Sequence, residues 1–233
     1  MPVYEKPPFV LNMSKPARIL GWCYLPVHIF VLPLLLNIYA SVSADGLSDR
    51  AMNIIYYGIG AAFVLVFMLR YLRADLDPLL DHKIGSLLLL VSGYFMDLLL
   101  SYAALIALEF ILGAVSNPNE QALDAISQNN YSMMLGLAVF LAPMVEEPLF
   151  RGVVFGTLRE KNTVLAYLVS VLLFSLYHVW QYAVAYWDAG LLIYMIQYIP
   201  VSFVLAWLYD RSRTIWLPII FHMFLNAMAL SYM

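Results

Sequence analysis

The chain has 233 residues, 64% of them hydrophobic and 12% charged, with a formal net charge of -3 and a mean hydropathy of +0.82. Soluble domains hold roughly 45–50% apolar residues, so this composition excludes an ordinary soluble domain and indicates a polytopic membrane protein in contact with the lipid bilayer. No basic surface suggests a nucleic-acid partner, and the single cysteine, Cys23, excludes an internal disulfide and any CxxC metal or redox motif.

In chain order, residues 1–18 are polar and Pro-punctuated, with Lys6, Lys15 and Arg18, and read as a cytoplasmic N-terminal segment. Residues 19–233 read as a single transmembrane domain without repeats or linkers. The first span runs from about Ile19 to Ala40. Val42-Ser-Ala44 resembles a cleavage site, but the apolar run exceeds the roughly 7–15 residues of a signal-peptide core, so the span is expected to stay as an anchor. His28, between Pro26 and Pro33, reads as a packed histidine in a kinked helix. The second span covers about Met52 to Leu69, and Arg70 to Lys83 reads as a charged turn with a solvated His82.

The third span, about Ile84 to Gly113, is long enough to tilt or project. It carries Asp97 near its middle, expected to face the bundle and hydrogen-bond as structural glue. Asn117-Pro-Asn119 stops it, and the stretch through Asn130 is expected to be a loop holding a short surface helix. The fourth span starts near Tyr131, and Pro143 and Pro148 should bend it and free backbone carbonyls for other partners. The fifth, sixth and seventh spans follow at about Thr163 to Tyr186, Leu191 to Tyr209 and Thr214 to Tyr232. Trp180, Tyr182, Tyr186 and Trp187, and again Trp207, Tyr209 and Trp216, read as interfacial belts. The fold class is therefore all-α, a bundle of about seven transmembrane helices. Basic residues fall on alternate loops, with only Arg50 on the other side, which predicts a cytoplasmic N-terminus and an external C-terminus.

Three polar constellations lie inside these apolar spans, all within residues 131–233. The first is Ala142-Pro-Met-Val-Glu-Glu-Pro-Leu-Phe-Arg-Gly152, where Glu147 and Arg151 stand at i,i+4 and can pair, while Glu146 points about 100° away and is left for other work. The others are Phe174-Ser-Leu-Tyr-His178 and His222-Met-Phe-Leu-Asn226, the latter with an imidazole and an amide on one helix face. Glu146, His178 and His222 each fall near the middle of a span and so share roughly one depth at about 1.5 Å per residue. Charge at that depth is a functional-site signal.

Glu146-Glu147-x-x-x-Arg151, Phe174-x-x-x-His178 and His222-x-x-x-Asn226, in that order on successive hydrophobic segments, resemble the three motifs of the CAAX protease and bacteriocin-processing (Abi) family of intramembrane endopeptidases. The resemblance covers about the last hundred residues, and the first three spans carry no signature of it. It implies an α-helical intramembrane protease in which Glu146 activates water and His178 helps hold it. His222 with Asn226 would stabilise the oxyanion, and Glu147 with Arg151 would shape the site. The implied partner is a membrane-associated peptide or a lipidated protein tail.

The residues agree with that chemistry, since peptide hydrolysis needs a base for water, donors for the oxyanion and a proton for the leaving amine. Zinc on Glu146, His178 and His222 is the alternative to a metal-free site. No His-Glu-x-x-His motif is present, and Asn226 beside His222 suits an oxyanion pair, so no cofactor is the favoured expectation. Two other classes remain open: a proton-coupled transporter using Asp97 and Glu146, and a non-enzymatic membrane scaffold.

Overall fold

A computed structural model describes residues 9–43, 47–113, 117–121 and 131–232, and they fold as a helical bundle without strands among the described residues. Among the described residues, six helices are long and apolar enough to cross a membrane: α1 Lys15–Val42, α2 Asp49–Phe67, α3 Lys83–Leu112, α4 Tyr131–Arg159, α5 Thr163–Ala185 and α6 Ala189–Ser212. The seventh, α7 Trp216–Tyr232, has 17 residues. At about 1.5 Å per residue it falls a little short of a bilayer core of roughly 30 Å. The chain is an integral multi-pass membrane protein. The expected short surface helix is described only as a helical turn through Gln121, and residues 122–130 lie outside the described residues.

The helix starts follow local capping chemistry. Ser14, Ser48 and Asn162 each accept a backbone N–H of the first turn, from Ala17, Ala51 and Leu165. In α1 the proline pair acts as expected: Pro26 and Pro33 bracket a widened π-type turn, Val27–Val31, that holds His28 inside the protein.

α4 is the centre of the bundle. It packs against α1, α2, α5, α6 and α7, and 56% of its most apolar window is buried, against 6% for α3. Small residues allow this close approach. A Cβ on Gly21 of α1 would lie 2.4 Å from Val153, and one on Gly60 of α2 would lie 2.6 Å from Val145, so both helices touch α4 through glycine.

One end of the bundle differs from the sequence reading. Arg70 to Lys83 is not a turn but two short helices, Leu69–Ala74 and Leu76–Asp81, that dock on the start of α7. Asp75 accepts from Asn12 Nδ2 and from the Ile215 N–H, each at 3.0 Å, and so satisfies a backbone donor at the head of α7. Two residues expected in an interfacial belt are structural instead: Tyr209 is buried and hydrogen-bonded to the Tyr71 hydroxyl at 2.9 Å, and Trp216 Nε1 donates to Leu72 O at 2.7 Å. Trp187 and Tyr186 remain exposed as expected.

The same end gathers the basic loops. Arg18 pairs with Glu160, Arg159 with Asp210, and the Arg213 guanidinium lies 4.8 Å over the Phe9 ring. The segment before α1 is therefore packed, with Phe9, Leu11 and Met13 buried.

Candidate active site

Two prolines set the course of α4. Each lacks an N–H and crowds the carbonyl four residues earlier, and the helix responds with π-type windings, Leu135–Leu141 and Pro148–Phe155, around a short α-helical piece, Ala142–Glu147. Carbonyls along these windings take side-chain donors: Asn226 Nδ2 donates to Ala138 O at 2.7 Å, and Ser170 Oγ to Phe150 O at 3.0 Å. Glu146 and Glu147 close the α-helical piece, 2% and 0% exposed.

Glu147 is the organising acid. Arg151 Nη1 donates to its Oε1 at 3.0 Å, with both side chains fully buried. Arg151 is held further by α5 and α6: Nη2 donates to Ser202 Oγ at 3.0 Å and Ser202 O at 3.1 Å, and the guanidinium lies 4.1 Å over the Phe174 ring. His222 Nδ1 stands 2.8 Å from the same Glu147 Oε1. A carboxylate accepts, so Nδ1–H donates, and the ring aims Nε2 at Glu146 Oε2, 4.0 Å away. Hydrolytic sites use a carboxylate behind an imidazole in the same way.

Glu146 divides its two oxygens between different surroundings. Oε1 accepts from the Tyr177 hydroxyl at 3.3 Å, and Oε2 has no protein partner. The acid expected to stand apart from the ion pair does so, but it is tethered on one side.

His178 reaches the centre less directly. Its Nδ1 lies 2.9 Å from Phe174 O on its own helix, and its ring stacks on Tyr198 at 4.5 Å. Phe174 joins it to the centre, with its ring 4.5 Å from that of His178 and 5.8 Å from that of His222. The structure thus gathers Glu146, Glu147, Arg151 and His222, and packs His178 against Phe174. Asn226 stands one turn after His222 as expected, and one N–H of its amide donates to Ala138 O.

Among the described residues, no three His, Cys, Asp or Glu side chains stand close enough to hold a metal ion. The Glu146, His178 and His222 set of the zinc alternative is not drawn together, and the His178 ring stacks on Tyr198.

Sequence reading missed Tyr177 and Ser202. Tyr177 precedes His178 in the quoted motif, and its role depends on which way the helix faces. Ser202 is a lone hydroxyl in an apolar span, the kind of residue that serves buried polar groups across a helix interface.

Residues 128–228, which run from α4 into α7, match the sequence model of the family described as type II CAAX prenyl endopeptidase Rce1-like. These residues form a Rce1-like domain. The resemblance to the CAAX protease and bacteriocin-processing family is thereby borne out. Over 146 residues the chain is 29% identical to the Bacillus subtilis protein named "Putative membrane peptidase YdiL", covering 61% of this chain and 54% of that protein. Over 153 residues it is 24% identical to the UPF0177 protein YxdF of Lactococcus lactis, covering 65% of this chain and 77% of that protein. The chain thus spans about half the length of the Bacillus relative. No solved structure matches. The Rce1-like domain supplies every acid, imidazole and guanidinium of the centre just described, and α1 and α2 pack against it from outside the matched region.

Proposed function

We propose that the chain is an intramembrane endopeptidase that hydrolyses a peptide bond in a membrane-associated peptide or lipidated protein tail, using water activated by Glu146 without a metal. The observation that carries this reading is Glu146 Oε2, buried and without a protein partner, facing His222 Nε2 at 4.0 Å while Glu147 holds the far side of the imidazole. The Rce1-like match over the same residues supports it.

In this mechanism Oε2 of Glu146 takes one proton from water as the oxygen adds to the scissile carbonyl carbon. His222, carrying its second proton and balanced by Glu147, donates from Nε2 to the oxyanion. Asn226 assists with the N–H that Ala138 O does not use. His178 braces Phe174, whose ring lies under the Arg151 guanidinium and against the His222 ring. As the C–N bond breaks, the proton on Glu146 passes to the leaving nitrogen, and the carboxylate is restored. Glu147 and Arg151 keep His222 and the α4 bend in place. The chain is placed with its N-terminus and basic end cytoplasmic and its C-terminus external.

Glu146→Gln keeps the shape and removes the base, so cleavage of a quenched membrane peptide by purified protein should fall by roughly 10²–10⁴-fold with insertion unchanged. Near-normal turnover by that variant overturns the base role. Enzyme stripped by chelator and free of metal by elemental analysis should keep its activity, and a loss that only zinc restores overturns the metal-free reading.

A further inference from the structure

Behind Glu146 runs a line of hydrogen bonds that leaves the Rce1-like region and ends in the first helix. Tyr177 OH lies 3.3 Å from Glu146 Oε1, Tyr56 OH of α2 lies 3.1 Å from Tyr177 OH, and His28 Nε2 of α1 lies 3.0 Å from Tyr56 OH. All four side chains are buried, His28 and Glu146 almost completely. The His28 ring stacks on Tyr56 at 4.6 Å, and Gly60, one turn beyond Tyr56, lets α2 approach Val145 and His28.

The direction of this line is fixed at one end. A carboxylate can only accept, so Tyr177 spends its single proton on Glu146 and its oxygen calls for a donor. Tyr56 supplies that donor, and its oxygen in turn accepts from His28 Nε2–H. His28 O, 3.1 Å from the Tyr56 hydroxyl, competes for the same proton, while His28 Nδ1 has no protein partner, as a bare lone pair would. Each donated bond polarises the next in a low-dielectric interior, so the Tyr177 bond to Glu146 is stronger than an isolated phenol would give.

We infer that His28 and Tyr56 are positioning residues that act through Tyr177 to hold Oε1 of Glu146 and keep Oε2 turned toward the water and His222. This rests on the proposed role of Glu146 as base. The first two spans then serve the reaction as well as the packing. Tyr57, next to Tyr56, also interacts with Tyr177 and Glu146, so Tyr57→Phe is measured beside the variants below as a control that leaves the Tyr56–His28 bond intact.

The test combines a spectroscopic and a kinetic arm on the full chain in nanodiscs. Infrared difference spectra against Glu146→Gln assign the Glu146 carboxyl band. Tyr56→Phe and His28→Phe keep the stacked rings and should shift that band, whereas His28→Gln, which retains an N–H donor, should restore it. In the cleavage assay Tyr56→Phe and His28→Phe should lower kcat by about tenfold, the scale of one lost hydrogen bond, with KM within about twofold. The double variant Tyr56→Phe/Tyr177→Phe should be no slower than Tyr177→Phe alone, because the bonds act in series.

An unmoved band in both single variants overturns the inference, as does a loss that His28→Gln fails to restore. Nitrogen NMR of labelled histidine in the unmutated protein provides a check free of folding effects: Nε2–H on His28 is expected, and Nδ1–H overturns it. A shifted band in a protein that cleaves nothing leaves the hydrogen-bonded line standing and removes the proposed function instead.

Discussion

α3 and α4 have almost the same length, 30 and 29 residues, and both are apolar enough to cross a membrane, yet α3 lies at the edge of the bundle and α4 at its centre. Both pass as spans, with mean hydropathies of 2.0 and 1.5 in their most apolar stretches, and the chemistry of the few polar residues explains their places. α3 exposes Leu88, Phe95, Leu99 and Phe110 and buries a narrow stripe of Ser86, Gly93, Asp97 and Leu108. α4 is buried on every side from Val145 to Phe155, except that Glu146 retains 2% exposure. In lipid an exposed leucine costs nothing, so a helix is drawn inward by its polar groups and small residues. Glu146, Glu147 and Arg151 require partners, and α5, α6 and α7 supply them.

The largest effect that follows lies on α4. Arg151 bonds Glu147 and both acceptors of Ser202 and is fully buried. Removing one member of such a group strands the other charges and costs about 3–5 kcal/mol. Arg151→Ala should therefore lose folded yield and thermal stability as well as activity, measured by the monodisperse fraction after heating. If Arg151→Ala is as stable as the unmutated protein, the ion pair does not hold the centre.

Leucine truncation sharpens the same contrast at smaller scale. Leu149 is fully buried on α4, whereas Leu99 of α3 is 70% exposed. Leu149→Ala should cost about 2–5 kcal/mol through the cavity it leaves, and Leu99→Ala should stay within about 0.5 kcal/mol. Equal losses in chemical unfolding from detergent would place α3 in the core and erase the distinction.

The sequence made the spans legible because apolar runs of membrane length have few alternatives, and the six long helices begin and end close to the expected positions. The Glu147–Arg151 pair was legible from i,i+4 spacing alone. What could not be read was which helix faces which. The bond from His222 to Glu147 joins residues 75 apart, and the Tyr56 bond to Tyr177 joins residues 121 apart. The second bond of the last motif was equally hidden: helical spacing put Asn226 beside His222, but its amide also donates to Ala138 O of the bent helix, 88 positions away. The juxtamembrane stretch around Asp75 was read as solvated because it is charged, and its docking onto α7 depends on residues more than a hundred positions away.

Asp97 gives a small expected effect and tests the rival reading of the whole molecule. It is the one acid near the middle of α3, and a proton-coupled transporter would need it together with Glu146. Its surroundings point to a structural role. Gly93, one turn earlier on the same face, packs on Leu208 and Val204 of α6, so Asp97 looks into the α3–α6 interface, and it hydrogen-bonds Ser101 one turn later. Hydrogen bonds between groups inside a membrane bundle average only about 0.6 kcal/mol. Asp97→Asn keeps the shape and an acceptor, so it should change stability by about 1 kcal/mol or less and leave cleavage within about twofold. Glu146→Gln, by contrast, should lower cleavage by roughly 10²–10⁴-fold. A variant Asp97→Asn that folds normally yet loses function as completely as Glu146→Gln would put both acids on one proton path, and the comparison between a central reactive helix and a peripheral supporting one would fail.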